Sequence, residues 1–305
     1  MAPELGAVTW KREADSLRRR ATELEAHGFA SINVGDHLIP QASGALTACA
    51  IIAEATSRVQ LGPLVLNNDL RHPVVLAQEA AALADLSGGR LELGLGSGYA
   101  QREYERAGIT FSPAAVRTAR LEESARILRE LLTTGSADFT GEHYTVRGES
   151  ISPPAESVPI LIGGNSRALH AVAAEHADIL GLIGFNPGAA SSDHGDFSTA
   201  GVARQIDRLR ELAGARFEEI ELHTLVQWHD VTDDRNAAVA RAAAALELPV
   251  EVVLDSPYAL LGSADEIAAT LREHRERLGI TRWVVFADRP DLAPAEALVP
   301  VLERL

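Results

Sequence analysis

The stretch RHPVVLAQEAAALADLSGGRLELGLGSGY at residues 71–99 carries one helix and one strand in succession. Pro73 and an apolar run predict a helix over residues 74–86, and residues 90–95 alternate apolar and polar side chains as a strand does. Gly94, Gly96 and Gly98 then remove every second side chain at the end of the strand, which opens its backbone to a close approach. The pattern predicts a bound phosphate or flat ring, and a tightly packed strand end is the alternative without a ligand.

The spacing of these glycines differs from that of a dinucleotide-binding fingerprint. That motif is G-x-G-x-x-G on the first strand of its domain, with an acidic residue about 20 residues later. Here the spacing is G-x-G-x-G-Tyr, a third of the way along the chain, and Glu122 and Glu123 lie inside a predicted helix. A site of the NAD type is therefore disfavoured.

The strand–helix unit recurs along the chain. Strands are predicted over residues 5–9, 31–34, 59–66, 90–95, 158–162, 179–183, 220–228 and 282–286. Helices are predicted over residues 12–27, 45–57, 74–86, 117–132, 167–176, 202–213, 235–246 and 264–278. Eight alternating units favour an α/β fold of the closed (β/α)8 type, a TIM barrel, over an open doubly wound sheet. We expect a single domain over residues 1–305, with an insertion after strand 4 in which residues 138–146 form a hairpin.

Composition and charge exclude several classes of protein. The chain has 305 residues, 46% of them hydrophobic, and a formal net charge of −15, whereas binding to nucleic acid or to an anionic membrane requires a basic face. Cys49 is the single cysteine, and no apolar run reaches the roughly 18 residues of a membrane span. We therefore expect a cytoplasmic protein with a small-molecule substrate, no nucleic-acid partner and no membrane contact. Apolar faces on the outer helices indicate a homodimer.

Candidate site residues follow from the barrel, because its active site lies at the carboxyl ends of the strands. The positions predicted there are Trp10, Asp36, His37, Gly96, Ser97, Gly98, Tyr99, Gly163, Gly164, Asn165, Phe185 and Trp228. His37 can exchange a proton near neutral pH, and the alternative is that Asp36 caps a turn while His37 packs. Gly163 and Gly164 open a helix whose free N–H groups form a second anion site, with an ordinary capped turn as the alternative. No metal-ligand pattern and no nucleophile elbow is present, so the sequence predicts no metal.

Several motifs together resemble the luciferase-like monooxygenase superfamily, in its actinobacterial branch of deazaflavin (F420)-dependent oxidoreductases. The motifs are GDHL at 35–38, the stretch at 71–99, RTARLEESARIL at 117–128, FTGEHY at 139–144, VPILIGGNS at 158–166 and DSPYALLGSADEIAATL at 255–271. The resemblance implies that the ring of F420, or of FMN, lies in the barrel mouth against a bulge with a non-proline cis peptide at Leu64 and Val65. It further implies that Gly96, Ser97, Gly98, Tyr99, Arg102, Gly163, Gly164 and Asn165 bind the cofactor. Asp36 and His37 match the pair near the reactive ring atoms, and Tyr99 would donate a proton or hydrogen bond, or stack.

The chain departs from the sugar-phosphate dehydrogenases of that family. They have a glutamate where this chain has Tyr99, and they use lysines to hold the substrate phosphate, whereas Lys11 is the only lysine here. That activity is therefore not expected. Glu103 is expected to cap its helix or to pair with an arginine, and a part in the chemistry is the alternative.

The resulting hypothesis is an F420-dependent oxidoreductase that transfers a hydride to or from a small, mostly apolar substrate with a C=C, C=N or alcohol/carbonyl group. Trp10, Phe185 and Trp228 would contact the substrate. Residues 184–201 would form a lid over Phe185 and Trp228, and a disordered surface loop is the alternative. An FMN-dependent monooxygenase is the alternative, because both cofactors suit the same barrel mouth. A non-catalytic flavin-binding protein is the third reading.

Overall fold

The computed structural model describes residues 2–40, 42–184 and 194–305. The strands are β1 Glu4–Thr9, β2 Ser31–Val34, β3 Gln60–Pro63, β4 Leu66–Asn67, β5 Leu93–Gly96, β6 Ser136–Thr140, β7 Thr145–Ser150, β8 Ile160–Gly163, β9 Ile179–Ile183, β10 Glu221–Leu225, β11 Trp228–Val231, β12 Ala259–Gly262 and β13 Ile280–Phe286. The α-helices are α1 Ala14–Ala26, α2 Ala45–Ala55, α3 Pro73–Ser87, α4 Gln101–Ala107, α5 Ala114–Thr134, α6 Arg167–His176, α7 Thr199–Ala213, α8 Arg235–Leu246, α9 Val250–Leu254, α10 Ala264–Leu278 and α11 Val299–Leu302.

Nine strands form one parallel sheet in the order β3-β2-β1-β13-β10-β9-β8-β5-β4. β3 and β4 are two parts of the strand predicted over residues 59–66, interrupted by Leu64 and Val65. β4 pairs with β5, and β3 approaches the same segment through a bridge between Leu61 and Leu91. β3 and β4 therefore both pair with the chain segment that contains β5, and the sheet closes into a ring. Counting β3 and β4 as one interrupted strand, the ring has eight strands. The predicted (β/α)8 barrel is confirmed.

Alternation along the strands separates the core from the barrel interior. Leu5, Ile32 and Trp283 are completely buried in the core between the strands and the surrounding helices. Their neighbours Asn33 and Val284 have the opposite parity and face the inside of the barrel. Burying a large apolar side chain stabilises a fold by about 1.5–3 kcal/mol, so the outward-facing residues account for much of the barrel's stability.

The helices begin and end where local chemistry dictates. α3 starts with Pro73, which suits the first turn because an N–H there would have no partner within the helix. The helix ends before Gly88, which has φ 66°. α10 carries a capping box, in which the Ser263 hydroxyl accepts from the Glu266 N–H while the Glu266 carboxylate accepts from the Ser263 N–H. These signals place the helices of the sequence-based prediction within a few residues of their observed positions.

Two segments lie outside the barrel sheet. β6 and β7 form the predicted antiparallel hairpin after the fourth barrel unit. The prediction of one strand over residues 220–228 is wrong, because the barrel strand β10 ends at Leu225 and the chain then forms β11. β11 pairs with β12, which the sequence did not predict, in a separate parallel sheet of two strands.

An ion pair occupies the amino-terminal end of the barrel. Arg282 Nη1 lies 2.7 and 2.9 Å from the carboxylate oxygens of Glu92, and Arg282 Nε lies 2.9 Å from Glu4 Oε2. The Arg282 and Glu92 side chains are nearly fully buried. Each buried charge therefore has a partner, as the cost of burial requires.

Among the helices of the described residues, none has the length and apolar character needed to cross a bilayer.

Candidate active site

A cavity of about 450 Å³ opens at the carboxyl ends of the barrel strands. This volume is within the usual range of ligand pockets, roughly 300–1,000 Å³. Most of the predicted site residues line it: Trp10, Asp36, His37, Leu64, Val65, Gly96, Ser97, Gly98, Tyr99, Gly163, Gly164 and Asn165. The barrel therefore brings together segments that are far apart in the sequence.

One wall of the cavity is formed by Val65, and the glycines around it make room for its side chain. The peptide bond between Leu64 and Val65 is cis, as the resemblance implied. A Cβ atom at Gly96 would lie 2.7 Å from Val65 Cγ2, and one at Gly163 would lie 3.0 Å from Val65 Cγ1. Two of the glycines at the strand ends thus have a packing role, since any larger residue would displace this wall.

Gly98 is required for a different reason. It has φ +72°, a conformation that residues with a side chain rarely adopt, and a Cβ there would lie 2.6 Å from Asn67 Oδ1. Asn67 Oδ1 also accepts a hydrogen bond from the buried Tyr104 hydroxyl at 2.8 Å, and burial is the main cause that raises the pKa of Tyr104 to about 12. Gly98 therefore allows the turn to pack directly on the Asn67–Tyr104 pair.

Arg117 of α5 supports the same turn from behind. Its Nε lies 3.1 Å from the Ser97 carbonyl and 3.3 Å from the Gly98 carbonyl, and its Nη1 donates to the Ser112 carbonyl. The guanidinium stands 4.0 Å over the Phe111 ring. Arg117 thus satisfies carbonyl groups of the turn whose residues 97–99 line the cavity.

The second glycine turn leads into α6. The Ser166 hydroxyl caps this helix by accepting a hydrogen bond from the Leu169 N–H at 3.2 Å. The Asn165 carbonyl accepts from Arg208 Nη1 at 3.3 Å. Gly163, Gly164 and Asn165 line the cavity immediately before the positive end of the helix dipole, which is a suitable place for an anionic group.

Asp36 is tightly held within the protein. Its two carboxylate oxygens lie 2.7 and 2.9 Å from the two terminal nitrogens of Arg71, and one also accepts the Asn67 N–H at 2.9 Å. Its side chain is 6% exposed. These bonds fix the loop after β2 to the turn after β4, and a direct catalytic role for Asp36 stays a prediction.

His37 contacts three other side chains at the mouth of the cavity. Its Nδ1 lies 2.7 Å from Glu103 Oε1, and its Nε2 lies 3.3 Å from the Tyr99 hydroxyl. The Trp10 ring lies on another side of the imidazole, with 5.6 Å between ring centroids. The expectation that Glu103 caps a helix or pairs with an arginine is therefore wrong.

Three predicted residues are not placed in the cavity. Trp228 packs partly buried against the core and does not line the cavity, because the chain leaves the barrel before β11. Arg102 is exposed on α4 and also lies outside the cavity lining. Phe185, together with much of the predicted lid, lies outside the described residues.

The sequence reading also missed several residues that line the cavity, among them Asn33, Glu103, Leu161, Thr224, Gln227 and Arg289. The available signal was the alternation of side chains along each strand. If His37 faces the cavity, Asn33 is expected to point into the barrel as well, because the two positions are an even number of residues apart. Glu103 had no comparable signal, because its contact with His37 depends on the distance between β2 and α4.

Few cations face the cavity. Arg289 is the single lysine or arginine among the described lining residues, and its Nε is bound to Asp291 Oδ1 at 3.0 Å. The carboxylates in the same lining are Asp36, Glu92 and Glu103. Lys11 lies 3.6 Å from Asp288 and is not part of the lining. The described lining thus offers a substrate no lysine or arginine that lacks an acidic partner.

The described residues contain one group of acidic and histidine side chains close enough together to hold a metal ion. It consists of Glu122, Glu175 and His176. These residues belong to α5 and α6, and none of them lines the cavity. The group has no part in the chemistry considered below.

Comparison with known proteins identifies relatives over nearly the whole chain. The chain is 32% identical over 284 residues to an F420-dependent glucose-6-phosphate dehydrogenase of Nakamurella multipartita, covering 89% of this chain and 78% of that protein. A solved F420-dependent secondary alcohol dehydrogenase, in complex with an F420-acetone adduct, superimposes with a TM-score of 0.77 at 17% identity and covers 100% of this chain and 98% of its own. The oxygenating constituent of 3,6-diketocamphane monooxygenase of Pseudomonas putida, in complex with FMN, gives a TM-score of 0.75 at 16% identity, with 99% and 98% coverage.

The two structural likenesses establish the shared barrel. Family membership follows from the sequence, because the luciferase-like monooxygenase family matches residues 3–284. This protein belongs to the luciferase-like monooxygenase family.

Proposed function

We propose that this protein is an F420-dependent oxidoreductase that transfers a hydride between the deazaflavin and a small, uncharged organic substrate with a C=C, C=N or alcohol/carbonyl group. The observation that carries the proposal is the cavity at the barrel mouth, in which the glycine-backed wall at Val65 faces the same space as His37. The relative from Nakamurella multipartita, named as F420-dependent, supports F420 over FMN.

The residues of the cavity fit such a cofactor. Leu64 and Val65 would provide an apolar wall for a flat ring, and Gly96 and Gly163 leave room for the Val65 side chain in that wall. The N–H groups of residues 97–99 and of residues 163–165 would hold the phosphate and side-chain portion. F420, when bound, supplies a carbon centre that accepts or donates a hydride.

His37 would transfer the proton, and the cavity walls would exclude water. In the oxidation of an alcohol, His37 Nε2 would take the hydroxyl proton, and bound F420 would supply the acceptor for the carbon-bound hydrogen as a hydride, so atoms and charge balance. In the reverse direction, His37 returns that proton to the carbonyl oxygen. Trp10 and Tyr99 would exclude water around the imidazole.

The charges of the cavity favour an uncharged substrate over a sugar phosphate. Arg289 is bound to Asp291 and His223 to Glu221, and the carboxylates of the described lining are Asp36, Glu92 and Glu103. A phosphate dianion would have no free cation there to replace its hydration. We propose therefore that this chain does not share the glucose 6-phosphate substrate in its relative's name.

The test is a paired titration of the purified apo-protein with F420 and with FMN, followed by ring fluorescence. Tight binding of F420 and weak binding of FMN is the expected result. Preference for FMN would favour the flavin-dependent monooxygenase instead, and binding of neither would refute the cofactor assignment.

Turnover is then measured on secondary alcohols, enones, imines and glucose 6-phosphate. Activity on an uncharged compound, and none on the sugar phosphate, is expected. Cofactor binding without turnover on any class would favour the non-catalytic flavin-binding protein. Cytoplasmic location, the homodimer and the organisation as a single domain stay predictions of the sequence.

A further inference from the structure

Glu103 contacts both His37 and the residue after it. One carboxylate oxygen, Oε1, lies 2.7 Å from His37 Nδ1, and the other, Oε2, accepts the Leu38 N–H at 2.7 Å. The Glu103 side chain is 12% exposed, so water competes little for these bonds. Two strong acceptors on one carboxylate thus attach the loop after β2 to the helix α4.

These bonds determine which nitrogen of His37 carries the hydrogen. An ionised carboxylate can only accept, so Nδ1 must be the donor to Glu103. The neutral imidazole then has an unprotonated Nε2, which is the nitrogen that can take a proton from a substrate.

Contacts at the opposite nitrogen agree with this tautomer. The Tyr99 hydroxyl lies 3.3 Å from Nε2. Burial, followed by the negative charge of Glu103, raises the pKa of Tyr99, so its hydroxyl stays protonated and donates. A substrate hydroxyl that reaches Nε2 would replace the Tyr99 hydroxyl with a donor of the same kind.

The other charged groups of the described cavity lining have partners of their own. Asp36 is bound to Arg71, Glu92 to Arg282, His223 to Glu221 and Arg289 to Asp291. Glu103 is therefore the carboxylate of the described lining that is hydrogen-bonded to the His37 ring.

We propose that Glu103 is a positioning residue that holds His37 in the Nδ1–H tautomer, with Nε2 toward the cavity, and balances the positive charge of the ring when it takes a proton. Glu103 itself gives and takes no proton in this scheme. The inference rests on the proposed function for its kinetic consequence, but the tautomer is a property of the apo-protein.

The first test is ¹⁵N NMR of the histidine-labelled apo-protein at a pH where the imidazole is neutral. The resonances of His37 are assigned by their loss in His37→Asn. We expect a protonated Nδ1 and an unprotonated Nε2 in the wild type, and a loss of this preference in Glu103→Gln, whose amide can donate as well as accept. Glu105→Gln is the matched control, because Glu105 lies on the same helix, is exposed and accepts a hydrogen bond from Gln101.

The wild-type spectrum tests the proposal by itself: a neutral His37 ring protonated at Nε2 would overturn it. The test therefore holds even if the Glu103→Gln protein folds poorly. A Glu103→Gln spectrum identical to that of the wild type would overturn it as well.

The second test is kinetic. General acid–base catalysis contributes about 10²–10⁴-fold, and losing only its orientation is expected to lower kcat by about 10- to 100-fold in Glu103→Gln. The Kd for F420 should not change, because none of the residues proposed to hold the cofactor depends on the protonation site of His37. An unchanged kcat with normal F420 binding would refute the positioning role and leave the proposed function intact. Failure of the wild type to bind F420 would refute the proposed function and leave the NMR test valid.

Discussion

Replacing Arg117 by alanine tests whether the turn at residues 97–99 is held from behind. The side chain is 7% exposed, and two of its N–H groups donate to the carbonyls of Ser97, Gly98 and Ser112. Hydrogen bonds of charged groups contribute about 1.5–3 kcal/mol each, so two donors give roughly 3–6 kcal/mol. We expect Arg117→Ala to lower the free energy of unfolding by about 3–5 kcal/mol, because part of the loss is recovered by relaxation of the turn.

The assay is urea unfolding of the apo-protein, followed by the F420 fluorescence titration. Affinity for F420 should fall at least about tenfold, since the turn at residues 97–99, which lines the cavity, loses the side chain that holds it. Arg126→Ala is the matched control, because Arg126 is on the same helix, is exposed, and stands 5.3 Å over the Phe139 ring. If Arg117→Ala cost no more stability than Arg126→Ala and bound F420 normally, the reasoning about this turn would be refuted.

Two further predictions follow from other contacts. Gly96→Ala places a methyl group 2.7 Å from Val65 Cγ2, and overpacking of this kind costs about 1–3 kcal/mol. F420 should therefore bind at least about tenfold more weakly to this variant, whereas Gly44→Ala, whose Cβ meets nothing closer than 3.6 Å, should bind as the wild type does. Equal affinities for both variants would contradict the role of Gly96. His170 is completely buried, and burial, followed by the charge of Arg208, lowers its pKa from 6.5 to about 4. The unfolded chain takes up this proton near pH 6.5 and the folded protein only near pH 4, so stability should fall as the pH drops between these values, by roughly 3 kcal/mol at most. Subtracting the unfolding free energies of His170→Leu from those of the wild type across this range isolates the effect, and a flat difference would exclude it.

The order of strands and helices could be predicted from the sequence because periodicity, proline and glycine act on neighbouring residues. α6 and α8 begin and end where the sequence predicts. The prediction failed after Leu225, where the chain leaves the barrel. The interruption at Leu64 and Val65 does not show in the periodicity and was implied only by the family resemblance. An apolar strand looks the same in sequence whether it continues in the barrel or joins a second sheet, so Trp228 was placed at the mouth wrongly.

For the site, the sequence by itself determined which segments meet at the mouth, because parallel strands of a barrel all end on the same side. Only the tertiary structure decided what these residues do to one another. Gly96 and Gly163 come from separate strands, and their common role is visible only once Val65 projects between them. His37 and Glu103 are 66 positions apart, and their contact depends on where α4 begins after β5. Local pattern fixes the elements, whereas contacts between strand ends follow from closure of the barrel, which no short window of sequence contains.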